Sequence, residues 1–118
     1  MSTTRLNAIR ERYIQDALPI RLGGLATNLM RIASVADHPG NHQAVDNLLE
    51  ESKFFIELAA PDATLDKQAA LVELQIELAR WHYGWPRDAA DQAKRNRLAR
   101  EARVWAEQVL EMSGLLTE

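Results

Sequence analysis

The chain has 118 residues, the size of one domain, and at that length roughly two thirds of the unfolded surface is buried on folding. Hydrophobic residues at 47% and charged residues at 26% exclude a disordered or fibrous protein. The absence of cysteine excludes disulfides, thiolate nucleophiles and cysteine-based zinc sites, and a formal charge of −3 is not that of a dedicated nucleic-acid reader.

The N-terminus, MSTTRLNAIRERYIQ, carries Arg5, Arg10, Glu11 and Arg12 where a secretory signal needs an apolar run. No stretch approaches the about 18 uninterrupted apolar residues of a membrane span, so a cytoplasmic protein with no membrane partner is expected. Leu6, Ile9, Tyr13 and Ala17 form a helical stripe. At about 100° per residue it lies nearly opposite the next stripe, Leu18, Leu22, Leu25, Leu29, Ile32 and Ala36. The phase breaks at Pro19, which removes a hydrogen bond and disfavours a helical Leu18. A helical arm over residues 1–17 and a bundle domain over 18–118 are therefore expected.

Punctuation at DHPGN (37–41), APDAT (60–64) and GWPRD (84–88) divides the remainder into periodic segments, none alternating with the period of a strand. In the first bundle helix Gly23 and Gly24 each cost about 1 kcal/mol relative to alanine. Gly23, Thr27 and Ser34 make a small-residue strip behind the leucines, suited to close approach by the arm or a second subunit. The second helix, about 42–60 with Asn41 as N-cap, turns Val45, Leu49, Ser52 and Ile56 inward and projects Phe54 outward as a candidate partner anchor.

The third helix, about 65–83, is the most apolar. One stripe is Leu65, Ala69, Val72, Ile76, Ala79 and Tyr83; a second is Leu71, Leu74, Leu78, Trp81 and Trp85. Both are expected to face the core, which puts Gln68, Gln75 and His82 in the middle of the buried arc. A buried Gln75 then needs a polar contact from another helix, a trapped water, or a pocket, since leaving it unsatisfied costs about 1–3 kcal/mol. In WHYGWP, Gly84 is expected to end the helix in the left-handed conformation, with Pro86 following. The fourth helix, about 89–113, starts at Asp88 or Asp91, stops before Gly114, and has an arginine-rich outer face. The fold class that results is all-α: an antiparallel up-down four-helix bundle with an extra short N-terminal helix or arm.

Charge is sorted along the chain. Residues 1–36 hold five arginines against two acids, residues 37–77 nine acids against two lysines, and residues 80–103 seven basic residues against three acids. Basic and acidic helices lying side by side account for this, as would a basic face for an acidic partner.

Catalytic chemistry is not motivated, and no catalytic residue is assigned: the serines sit in helical or capping contexts and no nucleophile-elbow motif occurs. Asp37, His38 and His42 are split by Pro39 and Gly40, and His82 lacks the preceding glutamate of a di-iron motif, so neither metal nor cofactor is expected. The cluster Arg87, Lys94, Arg95, Arg97, Arg100 and Arg103 is not matched by a helix-turn-helix, which argues against nucleic acid. Two readings remain. One is a non-catalytic protein-interaction or regulatory module, associating with a protein partner or with itself through Gly23, Thr27, Phe54, Arg97 and Arg100. The other is a small-ligand-binding protein or enzyme whose pocket at the end of the third helix uses Gln75, His82, Trp85 and Arg87.

The stretches ESKFFIELAAPDA, ELQIELARWH and VLEMSGLL resemble small, uncharacterised all-helical proteins of cyanobacteria. The resemblance extends diffusely from Leu18 onward and brings no motif of known chemistry. It implies a bacterial cytoplasmic setting and assigns no site residue.

Overall fold

The computed structural model describes residues 2–115; Met1 of the expected arm and residues 116–118 of the expected bundle lie outside the described residues. Five helices and no strand are present among them: α1 Ser2–Tyr13, α2 Leu18–Val35, α3 His42–Ala59, α4 Leu65–Asp88 and α5 Gln92–Ser113. Short 3-10 turns at Pro39–Asn41 and Ala60–Asp62 occupy two of the punctuated loops.

Local chemistry accounts for most boundaries. Ala17 is extended and Pro19 lies in the first turn of α2, where a missing N–H falls among groups with no helical partner in any case. Asp91 caps α5, accepting from the backbone N–H of Ala93 at 2.9 Å and of Lys94 at 3.4 Å. Gly114 ends α5 with φ of 79°, the left-handed value that glycine reaches without a Cβ penalty. Asn41 precedes α3 but does not cap it with its side chain; Nδ2 donates back to the Val35 carbonyl at 3.3 Å and ties the end of α2 to the start of α3.

The end of α4 departs from expectation. The helix continues through Gly84 and Pro86 to Asp88, and Gly84 is not left-handed. Trp85 explains the continuation: it is 1% exposed, and its indole N–H donates to the His42 carbonyl at 2.8 Å. Burying so large a side chain is worth at least the about 3 kcal/mol that an interior proline costs, and Pro86 stands where only the last turn is affected. Asp88 folds back over Gly84, where a Cβ would meet Oδ2 at 2.8 Å.

Named contacts fix the arrangement as an up-down bundle. Arg21 at the start of α2 donates to the Leu58 carbonyl and to Asp62 past the end of α3. His42 at the start of α3 meets Trp85 near the end of α4. Trp81 of α4 donates to Glu101 of α5, and Arg103 of α5 reaches Met30 of α2. Each helix thus runs antiparallel to its two neighbours in the ring α2, α3, α4, α5. The core is centred on α2, with Leu25, Leu29 and Ile32 fully buried against Val45, Leu49, Leu71, Leu78 and Leu98.

α1 lies on α3. Arg5 is paired with Glu50 and Glu51. Tyr13, 7% exposed, stacks on Phe55 with ring centroids 4.2 Å apart, and its hydroxyl donates to the Arg21 carbonyl at 2.6 Å. Of the upstream stripe, Tyr13 is buried, Leu6 and Ile9 are half-buried and Ala17 is exposed. Among the described residues no helix is long and apolar enough to cross a membrane.

Candidate functional site

The two apolar stripes of α4 lie roughly 160° apart at about 100° per residue. A helix at the corner of a bundle cannot bury both. The stripe of Leu71, Leu74, Leu78, Trp81 and Trp85 is buried. The other, expected to share the core, faces solvent along its whole length: Leu65 is 80% exposed, Val72 53%, Ile76 47% and Tyr83 89%, with Ala69 and Ala79 exposed between them. The inward stripe wins because its two tryptophans carry the larger apolar area.

This rotation moves Gln68, Gln75 and His82 from the expected centre of the buried arc to its edge, where all three are half-buried against α3 or the turn that follows it. Gln75 Nε2 donates to the Lys53 carbonyl at 3.2 Å, Gln68 Nε2 to the Ala60 carbonyl at 2.9 Å, and His82 Nε2 lies 3.2 Å from Asp46 Oδ1. Gln75 thus has a polar partner on another helix, while its Oε1 is buried without one.

The four residues proposed to line a ligand pocket do not converge. Gln75 and His82 are held in the α3 seam, Trp85 is buried, and the Arg87 side chain is 79% exposed with Nε 3.4 Å from Asp88. The partner-contact residues are also dispersed. Gly23 is covered by the chain itself, since a Cβ there would meet Leu115 Cδ1 at 2.8 Å. Thr27 is exposed, with its hydroxyl donating to the Gly23 carbonyl. Phe54, expected to project freely, is half-buried. Arg100 lies in a shallow groove with Ala33, Asp37, Asn96 and Arg103.

What the fold does assemble is a groove between α4 and α5, next to the exposed stripe. It encloses about 650 Å³ and is lined from α4 by Ala70, Glu73, Leu74, Ile76, Glu77 and Arg80, and from α5 by Trp105, Gln108, Val109 and Met112. Its walls are mainly apolar, with carboxylates on the α4 side; Arg80 Nη1 lies 3.3 Å from Glu77 Oε2. Farther along the same seam a second hollow of about 220 Å³ is bordered by Glu77, Arg80, Trp81, Asp88, Lys94 and Arg97. Between the helices there, Trp81 donates to Glu101 at 2.8 Å, Glu101 accepts from Arg97 at 2.9 Å, and the Arg97 guanidinium lies 5.5 Å from the Trp81 ring centroid. The hydrogen bond and charge of Glu101 hold Arg97 above its ordinary pKa, so it stays cationic.

The seam therefore presents a greasy wall, one polar edge and fixed charges at its far end. The larger groove offers carboxylates, a guanidinium and an amide but no hydroxyl, thiol or imidazole nucleophile. Among the described residues no three His, Asp or Glu side chains converge to hold a metal ion. From the sequence, Leu74, Ile76, Trp105, Val109 and Met112 of the groove read as core and Glu73, Glu77 and Arg80 as a wet helix face; the signal for the exposed surface was the second α4 stripe, placed nearly opposite the first. Compared with protein-family models, curated proteins and solved structures, the chain matches none.

Proposed function

We propose that the chain is a non-catalytic protein-interaction or regulatory helical module, and that its contact surface is the exposed stripe of α4 with the adjoining α4–α5 groove. The observation that carries this reading is the uninterrupted apolar stripe from Leu65 to Tyr83, which no part of the described chain covers. Single exposed apolar residues are ordinary, but a contiguous strip rimmed by charge is the usual mark of a partner site. A flat ridge beside an apolar channel suits a helix laid alongside it, by the helix-in-groove mode of recognition.

The ligand-binding alternative would have to move to this same groove, whose volume falls in the range of small-molecule sites. The groove is open along its length, which favours a macromolecular occupant over a small one.

Photo-crosslinking in cells tests the reading. A photoreactive side chain at Ile76 or Tyr83 is expected to give protein adducts, and one at Glu107, exposed on α5 and outside both hollows, is expected to give none. Adducts absent from both stripe positions, or equally abundant at Glu107, would refute it.

A further inference from the structure

The exposed stripe of α4 has spacings of four, three, four, three and four residues, from Leu65 through Ala69, Val72, Ile76 and Ala79 to Tyr83. That is the heptad seam of a two-stranded coiled coil. With Pro86 it extends over about six turns and roughly 30 Å of helix. The flank toward α3 carries Gln68, Gln75 and His82, already engaged with that helix or the turn at its end. The opposite flank carries a charged residue every seven positions: Asp66, Glu73, Arg80 and Arg87, all exposed. Acids occupy its first half and arginines its second.

From this order we infer that the occupant of the stripe is a second copy of the chain, packed antiparallel along α4; the inference rests on the reading of the stripe as a contact surface. In a parallel pair the charged flank faces the flank of Gln68, Gln75 and His82, whose polar groups are already engaged within the chain, and finds no complementary row of charge. In an antiparallel pair the charged flanks face each other, and a single register satisfies every charge: Asp66 opposite the partner's Arg87, Glu73 opposite the partner's Arg80, and both again by symmetry. The seam layers are symmetric about a two-fold axis between Glu77 and Leu78, and each charged pair is offset along it by two residues, about 3 Å. In this register large residues meet small ones, Ile76 against the partner's Ala79 and Ala69 against the partner's Pro86, and Val72 packs on the ring of the partner's Tyr83. A slip of one heptad sets Glu73 against the partner's Glu73 and strands Arg87. Charge therefore selects one register, in the way flanking pairs set orientation in coiled coils generally. The arginines are available for it: the Arg80 and Arg87 side chains are 74% and 79% exposed, their present partners being neighbours on the same helix.

Sedimentation velocity over a concentration series tests this. The unaltered chain is expected to dimerise, and Ile76→Asp to remain monomeric with an unchanged helical circular dichroism spectrum. Glu73→Arg and Arg80→Glu are each expected to weaken the dimer on the order of tenfold or more, since each turns two attractive pairs into repulsive ones. Mixed in equal amounts, these two variants should recover a heterodimer, and the double variant a homodimer, because the swap restores every pairing only when the helices run antiparallel in this register. A mixture no tighter than either variant alone, or a dimer indifferent to Ile76→Asp, overturns the proposal. A monomer at all concentrations overturns it too. If stripe positions then still crosslink to a different protein, the contact surface stands and only self-pairing falls; if they crosslink to nothing, both fall.

Discussion

Leu78 and Ile76 stand two residues apart on α4 and belong to its two opposed apolar stripes, yet they should respond very differently to truncation. Leu78 is 0% exposed, so Leu78→Ala removes buried methyl groups and leaves a cavity between α4 and the core, which costs about 2–5 kcal/mol. Ile76 is 47% exposed, so Ile76→Ala forfeits about half the transfer value of an isoleucine, near 1 kcal/mol, and regains a few tenths through the better helix propensity of alanine. The net loss is about half a kcal/mol. Urea denaturation followed by tryptophan fluorescence reads the difference, because Trp81, Trp85 and Trp105 are all buried. With m of about 1.5 kcal/mol/M, a 3 kcal/mol loss lowers the midpoint by about 2 M, and the Ile76 variant moves by less than about 0.5 M. The measurement is made at low protein concentration, where association contributes least. Equal costs at the two positions would refute this rotation of α4 and, with it, the exposed stripe.

Three further outcomes follow from individual contacts. Gln75→Leu should leave stability within about 1 kcal/mol of the original or raise it, since it removes a buried oxygen that has no partner along with one hydrogen bond; a loss of several kcal/mol in thermal denaturation would mean the amide is better satisfied than its geometry indicates. Burial raises the Tyr13 hydroxyl above its ordinary pKa of 10.0, so the phenolate is favoured only in the unfolded chain. The stability this contributes is fully present below pH 10 and declines as the pH rises above it, and Tyr13→Phe should flatten that alkaline decline; an unchanged slope would contradict the burial. Asp91→Ala should cost about 1 kcal/mol by removing the side-chain cap of α5, measured as a shift in the denaturation midpoint, whereas no shift would show the cap to be idle.

The sequence by itself determined the class of fold and most of its punctuation. Pro19 separates α1 from α2, Asp91 and Gly114 bracket α5, and the leucine stripe of α2 is the core, because capping, proline geometry and helical periodicity are local and leave their marks within a few residues. Only the tertiary structure decided which side of α4 faces inward. Two apolar stripes on opposite sides of one helix do not by themselves say whether one or both are buried; the choice belongs to the space left by α3 and α5, which two tryptophans fill better than Val72 and Ile76. The same long-range packing carried α4 past Gly84 and Pro86, because the Trp85 side chain had a buried place and a carbonyl on α3 waiting for its N–H. It also scattered Gln75, His82, Trp85 and Arg87 over three environments, so residues close together in sequence make no common pocket. A surface is what remains after packing is complete, and that residue is set by all the helices together.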